Sequence, residues 1–367
     1  MGIAVLIQGF NNIAILYLHK ELEFQKVFKY QFLGTLADFA VVVVSVFFLR
    51  SVWALVLGLL AGNLTRCIMS YVIEPYRPKL QIIGYQAREL FTFGKWITVS
   101  GILIFLITQG DDIFVGILLG ATTLGFYQMA YRISNIPATE VTNIISKVSF
   151  PLYSKLQGEP DKLKYTYTRV LQLVSFITFP ISAAILVLAP EFTIIFLGEQ
   201  WMPIVPAIQV LVMAGLIRSL FTTMIPLFIA VGKPKIETRW QIIRFVVIAG
   251  LIYPLTARFG IVGTSIAVLV SVVLATIGLF AETVKEIKVE TNKLIKLIGL
   301  SLLGGVILAL SAYGLKFIIN SETILGLAII VFIILLIFAG LNYLYDRFLG
   351  YHISLILNKG IRAFLEK

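Results

Sequence analysis

Charged side chains are scarce in this sequence, and apolar side chains are in excess. Charged residues make up 13% of the 367 residues, whereas hydrophobic residues make up 59%. A soluble domain carries about 25% charged and roughly 45–50% apolar residues. A soluble core also stops growing at roughly 250–300 residues, so one core cannot bury this excess. Lipid must therefore cover much of the apolar surface.

Residues that bind metals or form disulfides are nearly absent as well. Cys67 is the single cysteine, and His19 and His352 are the two histidines. A single cysteine can form no intrachain disulfide. The two histidines lie far from it and from each other in the sequence, so the three residues offer no metal-ligand spacing. The patterns GxxxxGK[ST], HExxH, CxxC and GxSxG do not occur, so no ATPase, metalloprotease or serine hydrolase is indicated. We predict no cofactor, no metal and no enzymatic activity.

Long apolar runs fill most of the chain. A helix needs about 20 mainly apolar residues to cross the hydrocarbon, where the backbone must satisfy its own hydrogen bonds. The sequence therefore predicts an all-α polytopic membrane protein. Its eleven predicted spans are 2–18, 32–49, 52–73, 92–118, 122–152, 165–195, 203–230, 236–257, 260–283, 294–318 and 323–345.

The basic residues predict how these spans are oriented. The net charge is +11, but the basic residues form short clusters between apolar runs, which argues against a nucleic-acid partner. Most of them fall in every second connection, whereas the other connections hold only Arg50, Arg258 and Lys316. Cytoplasmic loops carry the excess of lysine and arginine. We therefore predict a multi-pass protein of the cell membrane with a cytoplasmic C-terminus.

The spans divide into four predicted parts. Residues 1–73 form a partial N-terminal lobe of three helices, and residues 74–91 an amphipathic cytoplasmic linker. Residues 92–284 form a six-helix lobe, and residues 285–367 add two helices and a cytoplasmic tail. The first three spans resemble spans seven to nine in spacing and direction, which is typical of transporters built by duplication. By this comparison the first lobe lacks about three N-terminal helices.

Polar residues recur at helical spacing along the fifth span. The repeat keeps them on one helix face, and its members are Gln128, Arg132, Asn135, Thr139, Asn143 and Ser146, flanked by Tyr127 and Tyr131. Such a stripe indicates water or a polar ligand beside the helix; a hydrogen-bonded seam between helices is the alternative. Arg218 lies near the middle of the seventh span. The planar fork of an arginine suits phosphate oxygens, so Arg132 and Arg218 fit a lipid diphosphate, unless each pairs with an acid.

Three acidic residues lie within the spans. Asp38 is in the second span, and Asp111 and Asp112 are adjacent in the fourth. Ionisable groups in mid-membrane are costly, by about 2.5–3.5 kcal/mol on insertion scales, so they usually face a cavity or a partner. They are candidates for binding a coupling ion or proton. The alternative interpretation is a structural Asp–Arg pair.

Several segments resemble a known family. The stretch from FTFGKW through QGDDIF and GFYQMAYRISN to FPLYSKLQ, with LAPEFTIIFLGEQW and VGKPKIETRWQIIR, is similar to Wzx-type polysaccharide flippases. The closest resemblance is to the colanic-acid and teichuronic-acid exporters of the MOP (MATE-like) superfamily. It runs from about residue 1 to 285. The GDD and FYQMAYR segments match the family pattern, which marks their residues as cavity candidates.

The resemblance implies a fold and a function. Members have two six-helix lobes about a central cavity, usually with two added C-terminal helices. The implied function is to flip a polyprenyl-diphosphate-linked oligosaccharide from the inner to the outer leaflet, by alternating access without ATP hydrolysis. The implied partners are that lipid-linked substrate, membrane lipids and other polysaccharide-assembly proteins. A drug or lipid II-type exporter of the same superfamily is the first alternative, and a membrane-embedded glycan polymerase or ligase the second.

The predicted orientation can be tested by cysteine labelling. A cysteine introduced within residues 155–163 should react with a membrane-impermeant maleimide only from the cytoplasmic side, because this basic connection is predicted to be cytoplasmic. Labelling is compared in intact cells and in inverted vesicles. Reaction in intact cells would overturn the predicted topology.

Overall fold

The protein is almost entirely helical in this computed structural model. The structure describes residues 2–21, 23–74, 76–77, 84–136, 139 and 142–349, and these contain no strand. The helices are α1 (Gly2–Gly9), α2 (Ile15–Lys20), α3 (Phe24–Leu49), α4 (Trp53–Ile73), α5 (Gly84–Leu119), α6 (Ala121–Ser134), α7 (Thr142–Lys155), α8 (Pro160–Phe192), α9 (Val205–Ala230), α10 (Pro234–Ile287), α11 (Thr291–Leu315) and α12 (Ile324–Leu349). Eight helical segments in the described residues are long and apolar enough to cross a membrane. The predicted all-α polytopic class is confirmed.

The chain forms two compact units, Met1–Leu90 and Phe91–Lys367. The predicted linker 74–91 lies partly outside the described residues, and its last residues, from Gly84, belong to α5. The predicted tail and His352 lie wholly outside them. The subdivision of the chain into four parts therefore stays a prediction.

In the first unit, the first predicted span is not one helix but two. α1 ends at Gly9 and α2 begins at Ile15. Asn12 lies between them and is only 1% exposed. Its backbone N–H donates to Ser70 Oγ at 2.9 Å, and its side chain donates to the Tyr76 carbonyl at 2.7 Å and accepts from the Ala14 N–H at 3.1 Å. These bonds hold the break in place, which hydropathy alone does not reveal.

α3 and α4 pack closely in the same unit. A Cβ atom on Gly58 would meet Asp38 and Val42 of α3, and one on Gly62 would meet Asp38 and Gly34. Only glycine leaves room for this approach, as the GxxxG spacing of small residues predicts for membrane helices.

In the second unit, the fifth predicted span covers α6 and α7. α6 ends at Ser134 and α7 begins at Thr142, so neither is a full span by itself. The sequence carries Pro137 in this gap, and proline has no backbone N–H to donate within a helix. The predicted span over 122–152 thus contains two described helices, and because residues 137–138 and 140–141 lie outside the described residues, its continuity stays a prediction.

α9 is the central helix of the second unit. It contacts α6, α7, α8 and α10, and buried residues such as Ile208, Phe221 and Met224 occur on several of its faces. A helix that is apolar all round is buried among other helices. Arg218 lies on α9 and is half-buried.

α10 is a hairpin of two antiparallel arms, residues 234–259 and 261–287. The Thr256 and Thr264 hydroxyls are 2.8 Å apart, although eight residues of straight helix would separate them by about 12 Å. Gly260 has φ 57° and ψ −139° at the turn, a conformation that favours glycine. Ion pairs between Lys233 and Glu286 and between Arg239 and Glu282 join the far ends of the arms. The predicted tight connection between the eighth and ninth spans is confirmed.

Filling the space between the arms should destabilise the protein. A Cβ atom on Gly263 would meet the backbone carbonyl of Leu255, so we expect Gly263→Ala to cost about 1–3 kcal/mol by overpacking. The control is Gly250→Ala in the first arm, where a Cβ meets open space and alanine is the better helix former. Thermal unfolding in detergent measures both. An equal midpoint for the two variants would contradict the hairpin packing.

Candidate functional site

α6 carries the candidate residues, and its neighbours α5 and α9 complete the site. Tyr127 and Tyr131 are one turn apart on α6, as are Gln128 and Arg132. Asn135 is the residue that ends the helix. Because α6 stops there, Ser146 and Asn143 belong to α7, and the side chain of Asn143 lies outside the described part of the chain. The Thr139 N–H donates to the Asn135 carbonyl at 2.9 Å, and the continuation of the polar stripe into α7 stays a prediction.

Arg218 of α9 joins the end of this stripe. Its Nη1 donates to Tyr131 Oη at 2.5 Å and to Asn135 Oδ1 at 3.0 Å. Its guanidinium also lies over the Tyr131 ring, 5.2 Å from the ring centroid, a favourable cation–π contact. Its Nε is buried and has no partner within the described structure. Residues of two separate predicted spans, the fifth and the seventh, thus meet in one cluster.

Both aspartates of α5 face α6. Asp111 is 3% exposed and accepts a hydrogen bond of 2.8 Å from the Tyr127 hydroxyl. Asp112 accepts one of 3.0 Å from Gln128 Nε2. Neither carboxylate forms an ion pair with an arginine among the described residues, although Asp111 interacts electrostatically with Arg218. Neutral donors on α6 hold the acids instead.

A cavity of about 380 Å³ lies beside this face of α6. Its lining is Thr108 and Asp112 of α5 and Gly125, Gln128, Met129, Tyr131 and Arg132 of α6. Arg132 is exposed and has no hydrogen-bond or ion-pair partner among the residues that the structure describes. Its guanidinium donors are therefore free to bind an anion in the cavity. Tyr127, Asp111, Asn135 and Arg218 stand outside the lining and support it.

Sequence reasoning missed a third arginine of this region. Arg244 follows the basic residues Lys233, Lys235 and Arg239 in the sequence, a cluster that predicts a cytoplasmic connection. In the structure it lies within α10, is 4% exposed, and interacts electrostatically with Arg218 and Asp111. Its Nε and Nη2 have no partner in the described part of the chain. Helical spacing could have found it, since Glu237, Gln241 and Arg244 share one face of α10.

Glu237 on that face is a buried acid that sequence reasoning also missed. It is 2% exposed and accepts hydrogen bonds from Ser100 Oγ at 2.7 Å and Gln241 Nε2 at 3.0 Å. The adjacent Thr238 hydroxyl donates to the Trp96 carbonyl at 2.9 Å. The bonds from Ser100 to Glu237 and from Thr238 to Trp96 join the first arm of α10 to α5. They therefore position the helix segment that carries Arg244 against α5.

Asp38 lies in the first unit, on α3. It packs against Gly58 and Gly62 of α4, and the nearby Arg66 donates to Thr35 Oγ1 at 3.3 Å. No group of three metal-binding side chains occurs among the residues described. A metal-binding role for Asp38 thus gains no support from its surroundings.

A model of one protein family covers more than half of the chain. The family is described as polysaccharide biosynthesis protein, and its model matches residues 1–206. Among curated proteins, the lipopolysaccharide biosynthesis protein WzxC of Escherichia coli (strain K12) is 29% identical over 229 residues, 62% of this chain and 46% of that protein. The teichuronic acid biosynthesis protein TuaB of Bacillus subtilis (strain 168) is 25% identical over 226 residues, 61% and 47% respectively. The chain thus spans about half the length of these relatives.

A solved structure has the same fold. The lipid II flippase MurJ in an inward closed conformation superposes with a TM-score of 0.63 over 86% of this chain and 67% of that chain. The sequence identity is 15%, so this likeness concerns the fold alone. The family model and the relatives confirm the resemblance to Wzx-type polysaccharide flippases.

Removing the Tyr127 hydroxyl should destabilise the second unit. Tyr127→Phe leaves the buried Asp111 carboxylate without its side-chain donor, which should cost about 1–3 kcal/mol. The matched control is Tyr253→Phe, because Tyr253 is 62% exposed and its ring keeps the edge contact with Phe114. The measurement is thermal unfolding in detergent. Equal midpoints in the two variants would show that the hydroxyl does not support Asp111.

Proposed function

The chain belongs to the polysaccharide biosynthesis protein family, and from this premise we propose that it flips a lipid-linked oligosaccharide across the membrane. The cargo is a polyprenyl-diphosphate-linked repeat unit, carried from the inner to the outer leaflet for assembly of a surface polysaccharide. Two relatives are named for lipopolysaccharide and teichuronic acid biosynthesis. These names support this cargo class.

The cavity beside α6 is the observation that carries the proposal. Arg132 lies in it without a partner among the described residues, on a helix between apolar spans. A charged side chain at such a depth is costly unless it serves a ligand or a water-filled path. A diphosphate offers the oxygen acceptors that the guanidinium fork requires. Arg132 would therefore bind the diphosphate of the cargo.

The other candidate residues have distinct roles in this proposal. Gln128 and Tyr131 line the same cavity, and both can form hydrogen bonds with sugar hydroxyls. Arg218 holds Tyr131 and Asn135 in position and adds positive charge to the region. Tyr127 keeps Asp111 buried beside it.

Energy for transport would come from an ion gradient. The candidates for binding the coupling ion are Asp112, which lines the cavity, and Asp111, which lies next to it. Asp38 is the candidate in the first unit. The sequence contains no nucleotide-binding P-loop, and alternating access of this kind requires none. We propose a cell-membrane protein with a cytoplasmic C-terminus that works with other polysaccharide-assembly proteins and is not an enzyme.

Export of a drug or a lipid II-type molecule is the second candidate function. It is supported by the fold shared with the lipid II flippase MurJ. A glycan polymerase or ligase is less well supported, because its chemistry would need a sizeable outer loop. The connection between α8 and α9 is a short pair of helical turns, and the one between α11 and α12 is also brief.

Loss of the arginines should stop transport without preventing membrane insertion. Deletion of the gene should cause lipid-linked sugar to accumulate on the inner leaflet. Arg132→Ala and Arg218→Ala should each restore less than about a tenth of wild-type transport. The first removes a charge-assisted contact to the diphosphate of about 1.5–3 kcal/mol, and the second removes the charged donor that positions Tyr131 and Asn135. The readout is lipid-linked sugar accessible to a periplasmic or extracellular glycosidase.

The control is Arg258→Ala. Arg258 is exposed near the turn of the α10 hairpin and has no ion-pair partner in the described structure, so its removal changes the net charge equally. It should restore full transport. Full transport by both cavity variants would eliminate the arginine mechanism, and unchanged lipid-linked sugar in the deletion strain would eliminate the proposed cargo.

A further inference from the structure

A second cavity, independent of the one beside α6, lies between α8 and α11. Its volume is about 570 Å³. Four of its lining residues are cationic, namely Lys164 and Arg169 of α8 and Lys293 and Lys296 of α11, and Asp161 is the one acidic residue of the lining. Four like charges around one cavity repel one another unless an anion compensates them. None of the lining residues belongs to the cavity of Arg132.

The cavity lies at one end of two parallel spans. The uncharged run of α8 begins after Arg169 and continues over residues 170–190, and that of α11 begins after Lys296 and continues over residues 297–315. Each run is about the length that crosses the hydrocarbon. At the other end, Lys316 and Glu191 form an ion pair of 2.8 Å, so both helices begin and end at the same levels. The four cations are therefore at a membrane surface.

The same faces of the two helices provide apolar contacts next to the cations. On α11, positions 293, 296, 297 and 300 share one face, so Leu297 and Leu300 follow the two lysines towards the hydrocarbon. On α8, the Arg169 guanidinium lies over the Tyr165 ring at 5.1 Å and donates to Gln172 at 2.9 Å. The cationic side chains lie at the membrane surface, and the leucines lie next to them on the hydrocarbon side. This arrangement suits a lipid headgroup and the start of its acyl chains.

The two lysines of α11 are available to a ligand. Both are exposed, and neither has a hydrogen-bond or ion-pair partner among the residues of the chain described by the structure. Lys164, in contrast, donates to the Lys288 carbonyl at 3.0 Å, which ties the start of α8 to the end of α10. Arg169 is oriented by Tyr165 and Gln172. The basic side chains on α8 are therefore held by other groups of the protein, whereas those on α11 are available to a ligand.

We propose that this cavity binds the phosphodiester headgroup of an anionic membrane phospholipid. The charge distribution predicts that this membrane surface is cytoplasmic, and the cytoplasmic leaflet is where anionic lipids attract basic residues. Basic pockets between spanning helices on that side bind lipid headgroups. The shared chemistry is a phosphate group, so the cargo's diphosphate and free phosphate are the other sources that the test must separate.

Binding of a fluorescent phosphatidylglycerol to the purified full chain in detergent tests the site. Lys293→Gln combined with Lys296→Gln should weaken binding about 30-fold, at roughly fivefold for each lysine near an anionic headgroup. The matched control is Lys235→Gln combined with Lys285→Gln, which removes two charges from residues outside the cavity. Control and wild type should bind alike, and phosphatidylcholine should not compete.

Two further measurements decide the remaining outcomes. Lys293→Arg combined with Lys296→Arg keeps the charge and should retain binding, and thermal unfolding checks that every variant is folded. Equal affinity of the wild type and the glutamine variant would overturn the proposal. So would displacement of the lipid by an equal concentration of inorganic phosphate, or tighter binding of a polyprenyl diphosphate than of phosphatidylglycerol, because the ligand would then be free phosphate or the cargo.

Discussion

A polar group inside the hydrocarbon must find its partner within the protein, because lipid offers none. This constraint accounts for much of the second unit. Asp111 accepts from Tyr127, and Glu237 accepts from Ser100 and Gln241. The bonds from Tyr127 to Asp111 and from Ser100 to Glu237 each join two helices whose apolar faces alone would allow several rotations. The buried acids therefore determine which faces of α5, α6 and α10 meet.

The same constraint makes the polar groups that lack a partner candidates for ligand binding. Arg132 and two nitrogens of Arg244 have no partner among the described residues. An unpaired buried donor, such as Nε or Nη2 of Arg244, costs roughly 1–3 kcal/mol, so folding alone would not favour it. In the proposed mechanism, a phosphate that enters the region supplies the missing acceptors, and the unpaired donors of the arginines then contribute to binding.

Basic side chains of the second unit occupy two different environments. Beside α6, Arg218 is held by the Tyr131 hydroxyl and the Asn135 side chain, whereas Arg132 has no partner among the described residues. Between α8 and α11, Lys293 and Lys296 extend from the helix ends where the uncharged runs begin. The environment beside α6 suits a ligand that passes through the protein. The environment between α8 and α11 suits a lipid that stays at the protein surface.

The sequence by itself determined the all-α membrane class, most of the long spans, and the cluster of candidate residues on α6. These follow from composition and helical spacing, which are local properties. It did not determine that Asn12 divides the first span, or that Arg244 interacts electrostatically with Arg218. Only the tertiary structure decided these points, because they depend on which distant residues meet: Asn12 needs Ser70 and Tyr76, and Arg244 is buried only when α10 packs against α9.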